Sequence, residues 1–300
     1  MKNRFPVLVR AIASACFTVG FFGVCEWALA DKGWSGLYDG DAGYDWRLKP
    51  SLDLPQVSHV EMGSHFSVQT NEKGFRTAAL PEAEPWILAL GCSTTFGWGV
   101  EAEQAWPAIL QSELGIPVFN AGVPGHSTVQ GRRVADELLA LHPTLAILGW
   151  GLRDAQKTII PDVERKPAAF PRNTHLFKWL NQKLIVPAVN RGHTPRVSED
   201  HFAQNLTAMI EMAESKGIKV LLLDMTGRSD TPGHGAVLSK MGRPVVVPQL
   251  STAMVFDQDP IHLNIAGNRA LAQLLVPPVT ALIQTEASDE PAVEVPSQTP

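Results

Sequence analysis

Residues 86–95 read Trp-Ile-Leu-Ala-Leu-Gly-Cys-Ser-Thr-Thr. Five apolar residues in a row, closed by Gly91, are too few for a helix and predict a strand buried on both faces. Gly91, two positions before Ser93, lets the backbone turn sharply and present the Ser93 hydroxyl beyond the strand's carboxyl end. Downstream, a helical pattern runs from about Glu103 to Leu114, and Pro117–Phe119 forms a short strand. Ser127–Leu141 is a helix with Ser127 as its N-cap, and Leu145–Trp150 is another apolar strand. Wholly apolar strands alternating with helices mean an α/β domain whose parallel sheet is covered on both faces.

Residues 155–197, with several prolines and basic residues, break this rhythm and read as an insertion over the carboxyl edge of the sheet. The alternation then resumes. Ser198–Lys216 is amphipathic, with Phe202, Leu206, Met209, Ile210 and Ala213 three or four positions apart and Gly217 at its end. Ile218–Leu223 is a strand, Val245–Val247 a weaker one, and Leu263–Leu282 a helix interrupted near Pro277–Pro278. After Gln284 the acidic, proline-rich tail, residues 285–300, is expected to be disordered.

Upstream, residues 31–85 are rich in Gly, Asp, Pro and Ser and read as an irregular, membrane-proximal segment with a hairpin. Residues 1–30 carry Lys2, Arg4 and Arg10, an uncharged stretch from Ala11 to Cys25, and then Ala28-Leu29-Ala30. That is the pattern of a secretory signal. If Trp27 and Leu29 extend the apolar run and Glu26 reaches the headgroups, residues 5–30 form an uncleaved anchor in the inner membrane. Either way the chain from Asp31 onward is exported to the periplasm or beyond. The domain proper is then 86–284. A net charge of −5 removes the electrostatic case for nucleic-acid binding. Three cysteines, two of them in the N-terminal stretch, cannot staple the domain, and no CxxC or HExxH run supports a metal site. No cofactor is implied.

In an open parallel sheet, ligands sit outside the carboxyl ends of the strands. The loops there hold Gly91–Thr95, Asn120–Ser127 and Gly151–Asp154, with Asp259–His262 just before the last helix. A serine in such a loop needs a base to become a nucleophile. His262, three residues after Asp259, can supply it if the carboxylate fixes the imidazole; His126, on a carboxyl-end loop, is the rival.

These blocks together resemble the SGNH/GDSL-type hydrolases, in the exported branch where a segment such as TNEKGFR (Thr70–Arg76) precedes the serine block. The remaining blocks are LALGCSTTFGWGV (Leu88–Val100), NAGVPGHSTVQG (Asn120–Gly131), GLRD (Gly151–Asp154) and DPIHLNIAG (Asp259–Gly267). The resemblance spans about Gly43 to Leu275. It implies a flavodoxin-like three-layer α/β sandwich and a serine esterase working through an acyl-enzyme. Ser93 is then the nucleophile, His262 the base and then acid, and Asp259 the orienting carboxylate. The oxyanion is held by the Ser93 and Gly122 backbone N–H groups and a side chain from the third block.

Two positions depart from the family pattern. Cys92 stands where an Asp is usual and reads as a small buried residue rather than a nucleophile, because nothing nearby in sequence lowers its pKa. Arg153 stands where an Asn donor is usual. Its guanidinium can fold back onto the oxyanion, point away, favour an anionic substrate or pair with Asp154. The expected substrates are acyl or acetyl esters on an acylated envelope polysaccharide or lipid. Acetyl transfer between sugar hydroxyls is a close variant, and a weakened binding module is the alternative from another class. His175, Phe177 and Trp179 in the insertion are candidates to stack on a sugar or pack an acyl chain.

Overall fold

A computed structural model describes residues 5–29, 34–41, 45–59, 62–77, 79–81, 84–165, 174–180, 184, 192–226 and 233–284. The acidic tail 285–300 and much of the 155–197 insertion lie outside these residues. The N-terminal helix α1 spans Phe5–Leu29. It is followed by α2 (Trp34–Leu37), β1 (Tyr38–Asp41), β2 (Asp45–Leu48), β3 (Asp53–His59) and β4 (Ser64–Gln69). Next come β5 (Ile87–Gly91), α3 (Ser93–Phe96), α4 (Trp106–Leu114), β6 (Val118–Gly122), α5 (Thr128–Leu139), β7 (Leu145–Gly149) and α6 (Leu152–Ala155). The insertion contributes β8 (Lys157–Thr158), α7 (His175–Leu180) and β9 (Thr194–Pro195). The chain then forms α8 (Glu199–Glu214), β10 (Lys219–Leu223), α9 (Gly233–Ser239), β11 (Val245–Val246), β12 (Val255–Phe256), β13 (Asp259–Leu263) and α10 (Ile265–Gln284).

The central sheet runs in the order β11-β10-β7-β5-β6, and every neighbouring pair is parallel. Counted along the chain this is the 2-1-3-4-5 order of a flavodoxin-like fold, and its switch point falls between β5 and β7. Successive strand residues face opposite layers. Leu88, Leu90, Ala146, Leu148, Val220 and Leu222 pack with Leu138 of α5 and with Phe202 and Leu206 of α8. Ile87, Ala89, Leu145, Ile147, Leu221 and Leu223 pack with Trp106 and Leu110 of α4 and with Leu271, Leu275 and Val279 of α10. Both faces are therefore apolar, which is why these strands read as unbroken hydrophobic runs.

Three expectations need correction. The helix after the serine block starts at Trp106, and Ala102–Gln104 before it is a separate 3₁₀ turn. The last helix is not interrupted: α10 runs through Pro277 and Pro278. The prolines remove two backbone donors, but the acceptors they would have served belong to Gln273 and Leu274, both on the exposed face, where water can satisfy them. The opposite face stays packed through Leu271, Leu275 and Val279. The described residues between 34 and 69 are also more regular than their composition suggests. They form two antiparallel hairpins, β1–β2 and β3–β4. Leu37, Leu48, Val57, Phe66 and Val68 build a third cluster that closes on Phe96 of α3.

At the N-terminus, Val9–Leu29 is a 21-residue helical stretch of mean hydropathy 1.6, long and apolar enough to cross a membrane. Glu26, near its end, accepts hydrogen bonds from the backbone N–H groups of His175 (2.6 Å) and Leu176 (2.8 Å), capping α7. His175, Phe177 and Trp179 thus sit on a helix that packs against α1 and α2.

Candidate active site

Ser93 opens α3 directly beyond β5. A Cβ on Gly91 would lie 2.1 Å from Thr95 Oγ1 and 2.8 Å from the Gly149 carbonyl, so only glycine allows the turn to close against β7. Gly97, at φ 81°, ends α3 in the left-handed conformation after one turn. The loop that follows is clamped by Arg76, the last residue of the TNEKGFR segment. Its Nη1 donates to the carbonyls of Phe96 (3.1 Å) and Gly97 (2.8 Å), and its Nη2 to those of Ser67 and Val100 (both 2.8 Å). The guanidinium also lies over the Phe96 ring, 4.6 Å from its centroid. Burial brings its pKa down to about 10, so it remains cationic at neutral pH.

Asp259 and His262 sit on β13, which pairs with β12 through an irregular register at Val255/Phe256. In a regular strand, residues three apart face opposite sides. Here the irregularity accompanies a direct bond, with Asp259 Oδ2 2.5 Å from His262 Nδ1 and His262 Nε2 2.8 Å from Ser93 Oγ. An ionised carboxylate only accepts, so His262 carries its proton on Nδ1 and turns the Nε2 lone pair toward the serine hydroxyl. Asp259 Oδ1 accepts the Ile261 N–H at 3.2 Å. All three side chains are enclosed: Ser93 is 1%, Asp259 5% and His262 7% exposed.

Burial alone would raise the Asp259 pKa, but hydrogen bonds and charge from His262, with a further bond from His59, hold the carboxyl well below the usual range. For His262, burial lowers the proton affinity, the bond to Asp259 opposes it, and the nearby Arg153 charge lowers it further; the net direction is down. The imidazole therefore stays neutral, the form a base requires.

Other expected residues fall differently. The Gly122 N–H is taken by Asn120 Oδ1 at 3.0 Å, so Gly122 is not a spare donor. Glycine is required there for packing, since a Cβ would meet the Phe96 nitrogen at 2.3 Å. In the same block, the Val123 N–H bonds Gly91 O and the His126 N–H bonds Val123 O. The N–H of Gly125, at φ 86°, takes no acceptor among the described residues, nor does that of Ser93. Sequence reasoning did not single out Gly125, a glycine between Pro124 and His126.

His126 is not a rival base. Its Nε2 donates to the Trp46 carbonyl at 2.8 Å, and burial pulls its pKa to about 4. Cys92 is buried, with Sγ 3.4 Å from Thr94 Oγ1, inside the apolar cluster. Arg153 does not pair with Asp154, whose oxygens accept from Thr128 N (2.8 Å), Thr128 Oγ1 (2.5 Å) and Gly151 N (3.2 Å). Instead Arg153 Nη1 donates to Gln156 Oε1 at 3.0 Å, Nε has no partner among the described residues, and its charge acts on Cys92, Asp259, Tyr38 and His262.

His59, which sequence reasoning did not single out, adds a second imidazole 2.8 Å from Asp259 Oδ2. Its ligand atoms and those of Asp259 and His262 lie within 4.8 Å of one another. The separations from the shared oxygen, 2.5 and 2.8 Å, are those of N–H···O bonds. Two ligands on one tetrahedral zinc would stand roughly 3.3 Å apart, given bonds near 2.0–2.1 Å. The donor set fits shared protons better than a metal ion.

The GDSL-like lipase/acylhydrolase family matches residues 89–270, more than half the chain. No curated protein matches. Among solved structures, similarity is found to a psychrotrophic esterase from Pseudoalteromonas sp. (15% identity, 69% of this chain and 100% of that one, TM-score 0.45). A GDSL-like lipase from Bacteroides thetaiotaomicron is also similar (16%, 70% and 93%, TM-score 0.43), as is a carbohydrate esterase family 2 enzyme from Corynascus thermopiles (13%, 74% and 73%, TM-score 0.44). At these scores the likenesses carry no weight of their own, and family membership rests on the match over residues 89–270.

Proposed function

The chain belongs to the GDSL-like lipase/acylhydrolase family and is an ester-bond hydrolase; on that premise we propose that it works as a serine esterase through Ser93, His262 and Asp259. The observation that carries this reading is His262 bridging Ser93 Oγ at 2.8 Å and Asp259 at 2.5 Å. Ser93 Oγ attacks the ester carbonyl while His262 Nε2 takes its proton, and Asp259 stabilises the resulting imidazolium. The same proton then goes to the leaving alkoxide, giving the free alcohol and an acyl-Ser93. Water, deprotonated by His262, cleaves that intermediate and regenerates the hydroxyl.

The oxyanion is assigned to the Ser93 and Gly125 N–H groups, supported by their lack of other acceptors. Arg153 lies close enough to act on His262 and is assigned a long-range electrostatic part in stabilising the tetrahedral anion. Because His262 is held below the ordinary imidazole value, near 6.5, the acid limb of kcat/KM is expected below that pH. Activity is lost as pH falls through the lowered value and stays flat from there through neutrality. A rate profile with its acid limb above pH 7 contradicts this.

Enclosure of Ser93 and His262 favours a short acyl group, an acetyl ester on an envelope polysaccharide or lipid. The apolar α1, preceded in sequence by Lys2 and Arg4 and carrying Arg10, favours export with the domain held at the outer face of the inner membrane. The test is a p-nitrophenyl series. The acetate is expected to exceed the octanoate in kcat/KM by roughly tenfold or more, the size of a modest overpacking penalty. A preference for the octanoate contradicts the short-acyl assignment.

A further inference from the structure

His59 is the last residue of β3, 200 positions before Asp259 in the chain, and no block of the family match contains it. In this hairpin the inward residues alternate, so Val57 and His59 are buried while Ser58 is exposed. The ring is fully enclosed, 0% exposed, edge-on to Phe256 at 4.8 Å between centroids. Across from it, the backbone at Gly99, φ 90°, comes so near that a Cβ there would lie 2.8 Å from His59 Nδ1. The imidazole is thus fixed in place, with Nε2 aimed at Asp259 Oδ2, the same oxygen that His262 Nδ1 engages.

We propose that His59 is a positioning residue for the reaction, a second N–H donor that holds Asp259 against His262 and draws off part of its charge. This inference rests on the assignment of Ser93, His262 and Asp259 above. Since a carboxylate only accepts, His59 carries its proton on Nε2. Asp259 then receives three N–H groups, from His59, His262 and the Ile261 backbone, which leaves it no free rotation about its own bond. The groups facing His262 are Asp259, His59 and Arg153. Loss of the His59 bond leaves the carboxylate freer to move and its charge more fully on His262, so the imidazolium is favoured and the base protonates at higher pH. A hairpin outside the matched region thereby becomes part of the device that sets the base.

The test compares full-length His59→Phe, which keeps a ring of similar size without a donor, with His59→Gln, which keeps an N–H. Folding is checked by circular dichroism, and His59→Met replaces the Phe variant if that one does not fold. With p-nitrophenyl acetate, the donor-free variant is expected to lose roughly 10- to 100-fold in kcat, the effect typical of an outer-shell hydrogen bond. KM should change little and the acid limb should move to higher pH. His59→Gln should recover to within about threefold of the parent. A folded donor-free variant with unchanged kcat and acid limb overturns the proposal. So does a Gln variant as impaired as the Phe one, which would make the role one of ring packing. Ser93→Ala, run in parallel, separates the two levels: if it is inactive while His59→Phe is unchanged, only this inference fails; if it retains full activity, the triad reading itself fails.

Discussion

Ser93→Ala is expected to lower kcat for a p-nitrophenyl ester by a factor on the order of 10⁶, leaving hydrolysis close to the rate that binding and the oxyanion donors alone support. The reason is stoichiometric. The acyl-enzyme needs an oxygen on residue 93, and among the described residues no other hydroxyl is bonded to His262. KM is expected to change little, because Ser93 Oγ contributes to bond making rather than to holding the substrate. The fold should survive, since among the described residues Ser93 Oγ bonds only to His262 and its removal leaves α3 clamped by Arg76 and Asn120. Activity within tenfold of the parent would remove Ser93 from the chemistry.

Asp259→Asn is expected to cost about 10⁴-fold in kcat, by a different route. An amide presents N–H as well as C=O. If its nitrogen faces His262, the imidazole must accept at Nδ1 and carry its proton on Nε2, the atom 2.8 Å from Ser93 Oγ. A protonated Nε2 cannot take the serine proton. His59 Nε2 bonds the same oxygen as His262 Nδ1, so an amide oxygen left there would keep both tautomers but set its NH2 against the Ile261 N–H that Oδ1 accepts now; either orientation loses a bond. The measurement is kcat at neutral pH on folded variant, and a loss under tenfold would mean that Asp259 does not set the His262 tautomer.

The fold was legible because its evidence is local. WILAL, LAILGW and IKVLLL are apolar on both faces, and only strands covered by two helical layers have that requirement. Asp259 and His262 could be read as a candidate pair for the same reason, being three residues apart just before the last helix, and the structure bonds them to each other. What the chain hid were pairings across long separations. His59 is a histidine in a polar hairpin, and nothing near it announces a carboxylate 200 residues away. Gly122 and Gly125 lie in one block and read alike as backbone donors; only the hydrogen bond from Gly122 to Asn120 tells them apart. Pro277–Pro278 reads as a break under any local rule; the helix survives because the carbonyls it deprives are on the exposed side of α10. Arg153 kept several options open in sequence, and the three bonds from Thr128 and Gly151 to Asp154 remove one of them.

The most direct measurement is mass spectrometry of the full-length protein after reaction with a serine-directed alkyl phosphonate. Phosphorus takes the place of the ester carbonyl carbon, so the adduct marks whichever side chain the site makes nucleophilic. A single phosphonyl group on the peptide carrying Ser93, absent from Asp259→Asn treated alike, is the result expected. No adduct, or one on Cys92 in place of Ser93, would contradict the account.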